Sequence, residues 1–257
     1  MTFQKNFICF LAILNKETQR FLRVWGQTLV PPVITSSLYF LIFGSFIGSR
    51  IDSIAGVSFI EFMTPGLIMM SVISGAYLNV CSSFYIAKFQ KNIEEILVSP
   101  CSSHILILGY IAAGILRALI VGFIIYFVAW FFTGLQIIHF LSFFIFLFCT
   151  ASLFSLVGLI NAIFARKFDD ISVIPTFVLT PLSYLGGIFY SLEQLPSTWK
   201  ILTQLNPIFY LINGLRYSVL GVSEAGIAFS LGVLVLMIGA LYGACYTLIE
   251  KGVGIKS

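Results

Sequence analysis

The sequence predicts an all-α membrane protein, a single domain over residues 1–257 with six transmembrane helices. Hydrophobic residues make up 59% of the chain and charged residues 9%, whereas soluble domains are nearer one half and one quarter. The apolar residues also form runs of about 20, the length that crosses a hydrocarbon core of about 30 Å. Nearly all charges fall between these runs or at their ends, in stretches too short to fold alone.

The N-terminal segment, residues 1–25, has the pattern of an amphipathic helix lying in the membrane interface. Its apolar residues recur at helical spacing, at Phe3, Phe7, Phe10, Leu11 and Leu14. A helix with one apolar face and basic residues elsewhere lies on a bilayer surface. No small-residue cleavage site follows the short apolar run, and Lys16, Arg20 and Arg23 come next, so we do not expect a signal peptide.

Hydropathy places the six spans at 28–47, 63–86, 105–132, 140–164, 171–190 and 227–249. The fifth span is unusual because it contains Pro175 and Pro181 and ends near Gly186 and Gly187. Proline removes a backbone donor and kinks or ends a helix. We therefore expect the fifth span to be bent or cut short.

The basic residues predict the orientation of the spans. Under the six-span topology one side holds Lys5, Lys16, Arg20, Arg23, Lys88, Lys91, Arg166, Lys167, Lys251 and Lys256. The other side holds only Arg50, Lys200 and Arg216. Because basic loops stay on the cytoplasmic side, both termini are predicted to be cytoplasmic in a multi-pass protein of the bacterial inner membrane. The net charge of +4 bears on this orientation and does not indicate a nucleic-acid partner.

The sequence contains no recognisable catalytic, cofactor or metal site. The 5 cysteines and 2 histidines show no ligand spacing, and an odd cysteine count with none in a predicted outer loop implies no disulfide framework. All 10 acidic residues fall in loops or at span edges, whereas proton-driven carriers usually need an intramembrane relay. No G-x-x-x-x-G-K-[ST] loop is present, so ATP, if it drives this protein, must bind to another chain.

Arg117 is the only charged residue deep inside a predicted span. Inserting arginine at the bilayer centre costs about 2.5–3.5 kcal/mol on translocon scales, so some group should face it. Two interpretations stay open. In the first, which we favour from sequence alone, the guanidinium binds carbonyls or hydroxyls of neighbouring helices; in the second, it attracts an anionic group of a substrate.

The segment 88–99 between spans two and three has a helical amphipathic pattern. Phe89, Ile93, Ile96 and Leu97 share one face, while Lys88, Lys91 and Glu95 share another and Glu94 adds a further charge. Lys91 and Glu95 are spaced to pair along a helix, and Pro100 disfavours helix at Ser99. The alternative is a solvated turn whose charges merely keep the loop in the cytoplasm.

The segment 196–221 is too apolar for an aqueous loop, yet Asn206-Pro207 interrupts it. Broken backbone at membrane depth is tolerated where it is buried in protein or faces a cavity. We expect two short re-entrant helices on the outer side before the last span. A plain seventh span at 207–225 remains the alternative.

Three stretches carry a resemblance to a known family: "FQKNIEEILVSPCSSHILILGYIAAGILRALIVG", "FARKFDDISVIPTFVLTPLSYLGGIFYSLEQLP" and "LNPIFYLINGLRYSVLG". They resemble the membrane subunit of ABC type-2 (ABC-2) exporters, and closely resemble the YadH-type inner-membrane transport permeases of Gram-negative bacteria. The stretches "VPPVITSSLYFLIFGSFIGSRI" and "PGLIMMSVISGAY" extend the similarity over almost the whole chain.

The resemblance implies a permease subunit without its own ATPase activity, acting as a homodimer with two copies of a separate ATP-binding subunit. It implies export of an amphipathic, glycan-like or lipid-like molecule. The segment 88–99 would then be a coupling helix, with Lys88, Lys91, Glu94, Glu95, Ile96 and Leu97 contacting the ATPase. Spans one and five would line the pathway through Tyr39, Phe43 and Tyr184.

Two other classes remain as alternatives. A secondary carrier or channel would need a titratable or ion-coordinating site in the membrane, where the sequence offers only Arg117. A membrane assembly factor, or a membrane-embedded enzyme, is the further alternative, and the sequence offers no catalytic candidates for the enzyme.

Overall fold

The computed structural model describes residues 3–47, 54, 56–93 and 101–254. Over this part of the chain the regular structure is helical, apart from an isolated bridge between Ile54 and Val57. The helices are α1 (Phe3–Arg23), α2 (Trp25–Thr28), α3 (Val30–Leu41), α4 (Phe59–Phe89), α5 (Ser103–Thr133), α6 (Phe140–Phe164), α7 (Asp170–Ile174), α8 (Thr180–Tyr184), α9 (Ser197–Leu205), α10 (Pro207–Leu220) and α11 (Ile227–Glu250). Two π-helical segments, Ile42–Ile47 and Pro175–Leu179, extend α3 and join α7 to α8.

Among the described residues, five helical stretches are long and apolar enough to cross a membrane: Trp25–Gly44, Phe59–Phe89, Ser103–Thr133, Phe140–Phe164 and Ile227–Glu250. They correspond to five of the six predicted spans, and Trp25–Gly44 is called the first span below. The predicted fifth span, 171–190, is not among them. Its helical stretch is short, running without a gap from Asp170 to Tyr184. Because Pro175 and Pro181 cannot donate backbone hydrogen bonds, its α-helical bonding is interrupted by the π-helical turn Pro175–Leu179, and we call residues 170–190 the broken fifth segment.

The core of the bundle is formed around α4 and α6. In each of these helices 72% of the most apolar stretch is buried inside the protein, against 11% for the first span and for α11. Close approach of α4 and α6 depends on Gly158, where an added Cβ would lie 2.6 Å from the carbonyl oxygen of Tyr77. The first span and α11 therefore lie at the periphery of the bundle, with most of their surface free of protein contact.

The first four spans alternate in direction and α11 runs parallel to α6, which gives the bundle two ends. The proximal end, as we call it, carries Phe89, Ser103, Phe164 and Glu250. The distal end carries Phe59, Thr133, Phe140 and Ile227. Local capping defines these ends. At the distal start of α4, for example, the Glu61 carboxylate accepts hydrogen bonds from the backbone N–H and the hydroxyl of Ser58, the arrangement of a capping box.

Helix α1 packs along α5 at the proximal half of the bundle. Its inward face is formed by Ile13, Glu17 and Phe21, all buried. Phe7 and Leu11, from the predicted apolar stripe, are instead exposed outward. An apolar face directed away from the protein is what a helix embedded in the membrane interface requires.

One expectation about the cysteines was wrong. The structure pairs Cys9 of α1 with Cys101, just before α5, as a disulfide with a Cα–Cα distance of 6.3 Å. The two cysteines are 92 residues apart in sequence, and the packing of α1 on α5 brings them together.

The segment before the last span forms two short helices, α9 and α10, as predicted. Asn206 separates them: its side chain accepts a hydrogen bond from the backbone N–H of Ile208 at 3.0 Å and donates to the carbonyl of Leu182 at 2.6 Å. Helix α10 has 14 residues and ends at Gly221, which has a left-handed φ of 72°. A span needs about 20 residues, so the plain seventh span does not form.

Candidate functional site

A cavity of about 310 Å³ lies between the first span, α4 and α5, and we call it the Arg117 cavity. Its polar wall consists of Gln27, Thr28, Thr35, Ser36, Tyr39, Ser71, Ser74 and Arg117. Apolar groups, including Pro31, Leu67 and Met70, form the rest of the lining. A hydroxyl-lined space beside a buried guanidinium, in an otherwise apolar bundle, can bind a polar or anionic group.

Arg117 connects the cavity to a polar network that sequence reasoning missed. Arg117 Nη1 donates to Asn79 Oδ1 at 3.4 Å, and Arg20 Nη2 donates to the same oxygen at 3.0 Å. Arg20 also pairs with the Glu17 carboxylate at 3.0 Å, which accepts a further hydrogen bond from Ser83. The buried Asn79 thus joins α1, α4 and α5. An asparagine inside an apolar span was the available signal, because a buried amide needs partners.

The other three predicted pathway residues are brought together by one aromatic cluster. Tyr39 stacks on Phe43 with ring centroids 5.9 Å apart, and Phe43 packs against Phe189 at 5.5 Å. Tyr184 packs on Phe189 from the other side at 5.9 Å. Phe189 therefore links the first span to the broken fifth segment, and Tyr39 also lines the Arg117 cavity.

At the proximal end, Lys88 differs from its predicted place. The segment 88–99 was expected to start a new helix at Lys88, but α4 continues to Phe89 and the chain then turns at Gln90 and Lys91, whose φ is 62°. Lys88 Nζ donates to the carbonyls of Ala162, Ile163 and Ala165 at 3.0, 2.7 and 2.7 Å. Carbonyls at the end of a helix lack intrahelical partners and attract a cation. The three hydrogen bonds from Lys88 therefore stabilise the last turn of α4 against the end of α6.

Lys91 is exposed beyond this turn. Glu94, Glu95, Ile96 and Leu97 lie outside the described residues. The segment between Lys91 and α5 is nonetheless anchored where it returns to the bundle. Ser103 donates to the Glu250 carboxylate of α11 at 2.7 Å, and Cys101 is bonded to Cys9 of α1.

The second proximal loop, residues 165–169, is held by a carboxylate. Asp170 Oδ2 accepts hydrogen bonds from the backbone N–H groups of Arg166 at 2.8 Å and Lys167 at 3.0 Å. These two bonds hold the pKa of Asp170 below its ordinary value, because they stabilise the ionised form.

Arg216 was counted as an outer-loop cation, but the structure buries it at the distal end, where 1% of the residue is exposed. Its Nη2 donates to the Gly187 carbonyl at 2.6 Å, and its guanidinium lies 3.8 Å from the centroid of the Phe62 ring. Its Nη1 is 3.5 Å from the Glu224 carboxylate. Arg216 therefore joins α10 to α4 and to the end of the broken fifth segment.

These elements define a helical multi-span membrane protein with a polar-walled cavity between its spans. Among the residues that the structure describes, no group of three or more His, Cys, Asp or Glu side chains could hold a metal ion.

The chain belongs to the ABC-2 type transporter family, whose model matches residues 9–220. It is 52% identical over 250 residues to the protein named inner membrane transport permease YadH of Escherichia coli (strain K12), covering 97% of this chain and 98% of that protein. It is 24% identical over 221 residues to nodulation protein J of Rhizobium leguminosarum bv. viciae, covering 82% of this chain and 80% of that protein.

Proposed function

We propose that this chain is the transmembrane permease subunit of an ATP-driven ABC exporter in the bacterial inner membrane. It forms the substrate pathway as a homodimer of six-span subunits and is coupled to two copies of a separate ATP-binding subunit. Membership of the ABC-2 family and the similarity to a named transport permease support this proposal. Both termini face the cytoplasm, on the side of the proximal end.

The observation that carries the proposal is how the segment after α4 is anchored. On one side, Lys88 ties the last turn of α4 to the end of α6. On the other side, Cys101 lies against Cys9 of α1, and Ser103 donates a hydrogen bond to Glu250 of α11. A movement of the residues between these anchors is therefore transmitted to α4, α6, α1 and α11. It also reaches α5, which follows the segment directly in the chain. This is the mechanical requirement for a coupling segment that converts closure of an ATPase into movement of spans.

In this proposal Lys91, Glu94, Glu95, Ile96 and Leu97 contact the ATPase, while Lys88 transmits the movement to α6. The pathway runs beside the first span and the broken fifth segment, near Tyr39, Phe43 and Tyr184. These two elements leave large apolar side chains exposed, among them Leu38, Leu41 and Phe177. A second copy placed against them would enclose a conduit for an amphipathic, glycan-like or lipid-like molecule.

The test is purification of the tagged chain from native membranes, with identification of co-purified proteins and measurement of ATP hydrolysis. We expect an ABC ATP-binding protein at one copy per permease, lost in Ile96→Asp and in the Glu94→Lys, Glu95→Lys double variant, while insertion and dimer formation are retained. Lys251→Glu, an exposed proximal residue outside the segment, is the matched control and should keep the partner.

Full retention of the ATPase and full transport in both variants would remove the coupling role from the segment. Transport driven by an ion gradient without any ATP-binding partner would instead favour a secondary carrier.

A further inference from the structure

The Arg117 cavity contains a buried cation that the protein itself leaves incompletely paired. Arg117 is 9% exposed, and its Nε has no hydrogen-bond partner within residues 3–47, 54, 56–93 and 101–254. Its one hydrogen bond, to Asn79, is long at 3.4 Å and is shared with Arg20. In the same part of the chain the ion pairs are Arg20 with Glu17 and Arg216 with Glu224, so no carboxylate compensates Arg117.

A buried charge without a counter-ion is costly, and removing it from water is repaid only by good partners. Arg20, on the far side of Asn79, is itself paired with the Glu17 carboxylate, so the charge of Arg117 is the one in this network that has no carboxylate among the described residues. The cavity is where such a partner can enter. A planar guanidinium binds phosphate or carboxylate oxygens through charge-assisted hydrogen bonds.

The hydroxyl groups around Arg117 complete a site for an oxyanion. Ser74, Thr35, Ser36 and Tyr39 line the same cavity and can donate to oxygen atoms of a bound group. Ser71 donates to the carbonyl of Leu67 at 3.1 Å, so its oxygen faces the cavity as an acceptor for a ligand hydroxyl. A volume of about 310 Å³ fits a headgroup and not a whole lipid, since drug-sized sites start near this size.

The side of the cavity formed by the first span indicates what the rest of the ligand is. Only 11% of the most apolar stretch of this span is buried, and its outer face exposes Ile34, Leu38 and Leu41. An apolar chain attached to a headgroup in the cavity can lie along this face, which in the proposed dimer borders the conduit. The ligand chemistry is therefore a polar anionic head with an apolar tail.

We infer that the Arg117 cavity binds the anionic, phosphate-bearing headgroup of an amphiphile, held by Arg117 and the hydroxyls of the first span and α4. This inference rests on the proposed function in one respect, since it assigns the headgroup to the transported molecule. The same headgroup chemistry is also present in bilayer phospholipids, and the experiment separates the two sources.

The experiment uses the purified full chain, with phosphatidylglycerol as the probe and phosphatidylcholine as the zwitterionic reference, and measures bound lipid by native mass spectrometry. We expect wild type to prefer phosphatidylglycerol. Arg117→Gln should bind phosphatidylglycerol about tenfold more weakly, because the charge-assisted bonds are lost. The affinity of Arg117→Lys should lie between those of wild type and Arg117→Gln. Arg23→Gln, an exposed arginine of α1, is the matched control and should bind as wild type does.

Ser74→Leu fills the cavity while leaving Arg117 and Asn79 in place, and it should also abolish the preference. This second variant keeps the inference testable if Arg117→Gln fails to fold. Equal binding of the two lipids by wild type would overturn the inference. Undiminished phosphatidylglycerol binding by a well-folded Arg117→Gln or Ser74→Leu variant would overturn it as well.

A second arm reconstitutes the permease with its ATPase in phosphatidylcholine nanodiscs and adds phosphatidylglycerol. Stimulation of ATP hydrolysis that depends on Arg117 identifies the headgroup as that of a transported molecule. Arg117-dependent binding without stimulation assigns the site to a resident bilayer lipid, which supports the headgroup site and rejects the substrate assignment. Lipid binding is measured on the permease alone, so it would be unaffected if the proposed coupling to an ATPase were wrong. Equally, failure of lipid binding would leave the test of ATPase coupling unaffected.

Discussion

Two buried arginines, Arg117 and Arg216, differ in the kind of partner that the protein gives them, although each keeps at least one guanidinium nitrogen without a hydrogen-bond partner among the described residues. Arg216 has a carboxylate, a carbonyl and an aromatic face within contact. Arg117 has one long hydrogen bond to an amide and borders a cavity. A cation enclosed by its own partners holds a fold together, whereas a cation that faces open space is available to a ligand. The difference gives each arginine a distinct expected phenotype.

The largest effect is expected from breaking the enclosed pair. Arg216→Gln leaves Glu224 buried without its cation, and removing one partner of a buried ion pair costs about 3–5 kcal/mol. At 2–4 °C per kcal/mol for a chain of this size, the melting temperature should fall by about 10 °C. Glu193→Gln, at an exposed neighbouring position, is the control. A melting temperature like that of wild type would show that the Arg216 contacts contribute little.

Lys88 should behave like Arg216 on a smaller scale, since the protein itself supplies its partners. Lys88→Met removes the charge-assisted bonds to three carbonyls of α6, and one such bond contributes about 1.5–3 kcal/mol. Thermal unfolding in detergent measures the loss, and Lys91→Met, at an exposed residue, is expected to be neutral. If the two variants were equally stable, Lys88 would not anchor α4 to α6.

The proposed pathway residues should be accessible to a labelling reagent, and the residues buried in α6 should not. Single cysteines at Tyr39, Phe43 and Tyr184 should react with a membrane-permeant maleimide in a background without other cysteines, and substrate should change their labelling. Cysteines at Phe143 and Phe146, which are fully buried in α6, should stay unlabelled. Labelling at the α6 positions and not at the other three would place the pathway elsewhere.

Much of the fold could be predicted because span length and proline position are local properties of the sequence. Five spans and the break at Pro175 and Pro181 followed from them. The partners of Arg216 could not be predicted, because Phe62 and Gly187 come from distant parts of the chain and meet it only in the packed bundle. For the same reason Lys88 was assigned to the segment after α4, although carbonyls of α6 keep it within α4.

The candidate site was predicted in part. Arg117 and Tyr39 were chosen from the sequence as an intramembrane charge and an aromatic in the first span, and the structure places both in one cavity. From sequence alone a structural role for Arg117 was preferred. The lack of a carboxylate partner in the described residues changes that preference, because Arg216 has Glu224 within 3.5 Å and Arg117 has no such partner.

Thermal unfolding with and without phosphatidylglycerol tests the contrast between the two arginines most directly. A ligand that binds only the folded state raises the melting temperature in proportion to its occupancy. Arg117→Gln should melt close to wild type and should lose the rise on addition of phosphatidylglycerol. Arg216→Gln should melt about 10 °C lower and should still show the rise. The account is contradicted if Arg117→Gln is as unstable as Arg216→Gln, or if it keeps the full response to phosphatidylglycerol.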